Sequence, residues 1–69
     1  MSCTVQITAA RAALARAAWA RGVAPYYDAD AITDLLVDIR HWCAQAGIDF
    51  AASEQLAARI YLNEAGGAS

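Results

Sequence analysis

The chain has 69 residues and a formal net charge of −2, from five Arg, no Lys and seven acidic residues. That is the size of one small domain, too short for a cofactor fold, a two-domain enzyme or a membrane channel. Hydrophobic residues make up 59%, but nineteen of them are Ala, so the chain is Ala-rich rather than core-rich, and its acidic balance argues against nonspecific nucleic-acid binding.

A core this thin needs help from helix propensity, a staple or a partner subunit. Ala supplies the propensity. Cys3 and Cys43 stand forty positions apart and form no disulfide framework and no metal-binding pair. Both read as reduced thiols, Cys43 on a core face and Cys3 in a loose terminus. No cofactor is expected.

Charge is unevenly spread. Residues 1–27 hold Arg11, Arg16 and Arg21 without an acid, whereas residues 28–69 set Arg40 and Arg59 against all seven acids. An Arg-bearing, acid-free start can mark a transit peptide. Removing it would leave about forty residues, too few to fold easily, so the segment reads as a mature helix. No apolar run approaches the ~18–20 residues of a membrane span, and no membrane partner is expected.

The punctuation is Gly22 to Tyr27 around Pro25, then Gly47, then Gly66-Gly67. Between these breaks the pattern predicts helices over about 5–21, 30–46 and 50–64, with a frayed tail over 65–69. The first has Thr8 as a candidate N-cap, Gly22 as a left-handed stop and Arg21 suited to the negative end of the dipole. Ile7, Leu14 and Ala18 share one face of it; Val5, Ala12 and Trp19 share another. The second is capped by Asp28 or Asp30. It carries Ile32, Leu35, Leu36, Ile39, Trp42 and Cys43 as one apolar stripe, with Trp42 on its flank and expected in the core. The third follows Asp49 as N-cap, with Phe50, Leu56, Ala57 and Ile60 facing inward and Ile48 plugging the bundle's end.

Short connections make neighbouring helices antiparallel. The expected fold is all-α: a single small domain over 1–69, a compact three-helix bundle, with homodimerisation as one way to complete it. Val37 and Leu62 lie opposite the apolar stripes of the second and third helices, where an isolated monomer would carry polar residues. They suggest a second buried face, a homodimer seam or a partner site.

Asp34, Asp38 and His41 share a helix side, but one helix offers no closed metal cage and the chain builds no deep pocket for acid–base work. A solvated acidic face, with His41 paired to Asp38, is the simpler expectation. Asp30, Asp34 and Asp38 form a row with roughly phosphate-like spacing, about 6 Å per step. The second and third helices could also form a helix-turn-helix. Its recognition helix would hold Arg59 against Glu54 and Glu64, a poor set for reading base edges and phosphates. Tyr26 and Tyr27, beside Pro25, are candidate exposed anchors for a partner.

One string stands out: Asp34-Leu35-Leu36-Val37-Asp38-Ile39-Arg40-His41-Trp42, then Gly47-Ile48-Asp49-Phe50, then Tyr61-Leu62-Asn63-Glu64. It resembles a group of short proteins of bacteriophages, prophages and conjugative elements, whose pattern reads D-L-L-x-D-L-x-H-W, G-x-D-F and H-Y-x-x-E. The resemblance covers residues 31–64; Ile60 stands where that pattern has His, and the first helix has no counterpart. It implies a non-enzymatic accessory protein of a mobile element, located in the cytoplasm of a bacterial host. Such proteins often bind and block host machinery, as anti-CRISPR proteins do. The expected partner is then a host protein complex such as a CRISPR effector subunit. The residues expected to carry contact are Tyr26, Tyr27, Asp34, Val37, Asp38 and Leu62. The alternatives are a homodimeric structural or assembly accessory of the element and a small helix-turn-helix-like DNA-binding regulator.

Overall fold

A computed structural model describes residues 3–66 and is all-α. Among the described residues there are three helices and no strand: α1 (Thr4–Arg21), α2 (Ala29–Ala46) and α3 (Phe50–Ala65). The chain divides into two compact units, Met1–Asp38 and Ile39–Ser69, with the boundary inside α2. None of the helices is long and apolar enough to cross a membrane.

The helix ends follow one repeated grammar. Asp28 and Asp49 each accept a hydrogen bond from the backbone N–H three residues on, Ala31 at 3.0 Å and Ala52 at 3.1 Å. Each carboxylate thereby satisfies a donor that the helix itself leaves unpaired. Asp28, not Asp30, is therefore the cap of α2. Gly22 (φ 83°) and Gly47 (φ 73°) stop α1 and α2 in the left-handed conformation. The next residue closes the turn in both cases: Val23 N–H donates to the Ala18 carbonyl at 3.0 Å, and Ile48 N–H to the Cys43 carbonyl at 2.9 Å.

Three expectations about helix ends change. Thr8 lies a full turn inside α1, which starts at Thr4 after Cys3, a residue that makes no side-chain cap. Ala's high propensity lets the helix run on past the expected cap. Ala65, expected in the tail, belongs to α3. Gly66 follows as its cap residue, and residues 67–69 of that tail lie outside the described residues.

The first unit is built on small side chains. Leu14 and Ala18 of α1 and Ala31 of α2 are buried, with Ala18 wholly removed from solvent. An Ala loses all exposure only where backbones come close. Ala15, Ala17, Pro25, Tyr26, Asp34 and Leu35 are half-buried. Ile7, Val5 and Trp19 stay exposed, so only part of the expected α1 face is covered.

In the second unit Cys43 is the buried residue among those described, and α3 buries none. Phe50 is half-buried under the Arg40 guanidinium, 4.3 Å from the ring centroid. Here the expected inward faces are corrected. Trp42, Leu56, Ala57 and Ile60 are exposed, as is Ile48, whose role is to close the α2 turn rather than to plug a core. Periodicity put these residues on common faces, but nothing within the chain covers them. Cys3 is exposed, and both thiols are free.

Candidate functional site

The first unit brings four polar side chains into one continuous network. Arg21 ends α1, and the left-handed Gly22 turn sends the following loop back toward α2. Asp34 and Asp38 stand four residues apart on α2, one turn from each other along the same side. Tyr26, held in the loop after Pro25, lies between them and Arg21. Its hydroxyl donates to Asp34 Oδ2 at 2.6 Å and accepts from Arg21 Nη1 at 3.3 Å. Arg21 Nη2 donates to Asp38 Oδ2 and forms the salt bridge of the described residues.

This network changes the reading of the acidic row. Asp38 is paired with Arg21, not with His41, because the end of α1 delivers a guanidinium with more reach and permanent charge. Asp34 accepts the Tyr26 hydroxyl. Two of the three carboxylates in the row are thus engaged internally. Among the described residues no group of three or more His, Cys, Asp or Glu side chains gathers as a metal cage.

The Tyr26 phenol is raised above its ordinary value near 10, first by the hydrogen bond it gives Asp34 and then by partial burial; the Arg21 charge opposes the rise. A phenol shifted this way keeps its proton at neutral pH and serves as a hydrogen-bond donor rather than a nucleophile. The arrangement fixes a loop against a helix. The Arg21–Asp38 pair is part-exposed, at 30% and 49%, so its own contribution to stability is about 0–1 kcal/mol.

Of the large apolar residues that this unit exposes, Trp19, Ile32 and Leu36 among them, Tyr27 and Val37 are the sequence neighbours of the network's Tyr26 and Asp38. Tyr27 is exposed, with the Arg11 guanidinium 4.0 Å from its ring centroid. Val37 is exposed on α2, three residues after Asp34 and four before His41. Of the expected contact residues, Tyr26, Tyr27, Asp34, Val37 and Asp38 all fall in this unit, and Tyr26, Asp34 and Asp38 join the network. Tyr26 is a half-buried anchor rather than a free aromatic. Leu62 is exposed on α3 and belongs to the other unit.

The sequence reading missed Arg21 and Arg11 as site residues. The signal for Arg21 was present: a last-turn Arg before a Gly reversal, with acids at i and i+4 on the next helix. Arg11 meets Tyr27 through the loop's path, which spacing along one helix does not encode. No known protein family, curated protein or solved structure matches the chain.

Proposed function

We propose that the chain acts by binding another protein, through the surface of its first unit, and catalyses nothing. The observation that carries this reading is the Arg21–Tyr26–Asp34–Asp38 network. It uses Arg21, Asp34 and Asp38 to hold a loop against a helix, and leaves Tyr27 and Val37, the sequence neighbours of Tyr26 and Asp38, exposed. A preorganised polar frame with an aromatic and an aliphatic side chain free is suited to a protein partner. A DNA reader would need several basic groups gathered on one surface, and α3, the would-be recognition helix, carries Arg59 alone against Glu54 and Glu64. The resemblance of residues 31–64 to short mobile-element proteins supplies the narrower form. In that form the protein is an accessory of a phage or conjugative element that occupies a defence complex of its bacterial host, such as a CRISPR effector, in the host cytoplasm.

The test uses the tagged chain as bait in a nuclease-treated lysate of a bacterium that expresses its CRISPR effector complexes. Stoichiometric capture of an effector subunit, lost on Val37→Arg while the helical circular-dichroism signal persists, is the expected result. A bait that retains only its own copies overturns the inhibitor reading. Effector capture that Val37→Arg leaves intact moves the contact off this surface.

A further inference from the structure

We propose that a second copy of this chain covers the exposed face of the second unit, packing parallel to it along α3. The starting point is that α3 is a 16-residue helix with no buried residue. Isolated helices of this length are marginal in water, and their stability in proteins comes from covering an apolar face. That face exists. Leu56 and Ile60 are 52% and 48% exposed. On the preceding half of α2, Ile39 is 37% and Trp42 61% exposed. Only Gly47, Ile48 and Asp49 join the two helices, and Arg40 stacks on Phe50 beside the turn.

The open area suits a modest contact with a second copy. An aromatic side chain offers about 150–250 Å², so Trp42, 61% exposed, leaves roughly 90–150 Å² open. Ile39, Leu56 and Ile60, at roughly 60–120 Å² each when fully exposed, add about 80–160 Å². The sum is roughly 170–310 Å² of apolar surface per copy, against about 500 Å² in a standard homodimer interface. Association is therefore expected to be weak and concentration-dependent, with its register set by charge.

Charge placement selects the occupant and its direction. Ser53, Leu56, Ile60 and Asn63 follow the 3-4-3 spacing of a coiled-coil seam, with the polar residues at its two ends. None of the four is charged, so the face can meet its own image without repulsion. On that register Arg59 and Glu64 flank the seam on opposite sides, five positions apart. Parallel helices bring such a pair together between chains, Arg59 of one copy against Glu64 of the other, twice per dimer. Within the chain the salt bridge of the described residues is Arg21–Asp38, so neither Arg59 nor Glu64 is spent.

Sedimentation equilibrium over a wide concentration range tests this directly. The wild-type chain is expected to approach twice its 7.3 kDa mass at the highest concentrations, and Ile60→Glu to stay at the single-chain mass. Arg59→Glu and Glu64→Arg each weaken association roughly five- to tenfold by replacing two attractive pairs with repulsive ones. The double variant Arg59→Glu/Glu64→Arg restores it. Both charged residues are exposed, so this swap stays informative even where Ile60→Glu fails to fold. A single-chain mass at every concentration overturns the proposal. So does a dimer that Ile60→Glu leaves intact, and a double variant as weak as the singles rules out the parallel pairing.

Discussion

The two units of this small chain solve the same problem in opposite ways. The first buries Ala18 and Ala31 almost completely, packs Leu14 with them, and ties its loop down with Tyr26 and Arg21. Each unit also leaves large apolar residues in the open, Val5, Ile7 and Trp19 in the first and Trp42, Leu56 and Ile60 in the second, but the second buries only Cys43 among its described residues. Burial therefore does not follow side-chain size. Small residues let two backbones approach, whereas large ones at helical spacing hold their surface out until another surface arrives. The first unit closes a small core of its own; the second leaves a whole helix, α3, without a buried residue.

The largest effect that would break this contrast is cavity formation. Leu14→Ala is expected to cost about 2–5 kcal/mol, enough to unfold much of a domain this size. Leu56→Ala removes a side chain already half in water. It is expected to cost about 1 kcal/mol or less in dilute protein, and more as concentration rises and a second copy covers it. Urea melts at two well-separated protein concentrations distinguish these cases. Equal, concentration-independent losses at the two positions would mean that α3 is covered from within the chain after all.

Next in size are the two glycine stops, which sharpen the comparison because they are matched. Gly22 and Gly47 have positive φ, and a Cβ at either would meet nothing within 4 Å. The cost of Ala there is therefore backbone strain alone, about 1–2 kcal/mol at each. Thermal melts of the two variants should shift alike if both units unfold together. A clear loss from Gly22→Ala beside a negligible one from Gly47→Ala would show the second unit contributing little until it is covered.

Much of the fold was legible in the residues themselves. Asp49 before an apolar run, and Gly22 and Gly47 after one, mark helix ends because their chemistry is local: a carboxylate reaches three residues, and a left-handed φ excludes most side chains. The stripe on α2 was also legible, since 3.6-residue periodicity fixes which side chains share a face. Whether that face is covered is not a property of the helix, and so Trp42, Ile48 and Ile60 were placed inside and stand outside. The candidate site was legible in part. Asp34, Asp38, Tyr26, Tyr27 and Val37 were marked by type and position, but the Tyr26–Asp34 bond and the Arg21–Asp38 pair depend on how the Gly22 loop returns to α2. Spacing within one helix carries no information about that return.

The smallest expected effect is specific to the first unit and depends on pH. The Tyr26 hydroxyl donates to Asp34, and ionising it would remove the donor and set a second negative charge beside that carboxylate. The folded phenol therefore holds its proton to higher pH than an ordinary Tyr near 10. By linkage its contribution is fully present below that ordinary value and is lost as pH rises through the raised folded one. Tyr26→Phe keeps the ring but removes the bond. The stability gap between wild type and Tyr26→Phe should be constant through neutral pH and shrink on the alkaline side. Phenolate absorbance gives the companion measurement: the Tyr26 phenol should ionise above the ordinary value near 10, and Tyr26→Phe should delete that component. If Tyr26→Phe deletes no component above the ordinary value, the loop is not held to α2 in solution, and the first unit would lose the polar closure that sets it apart from the second.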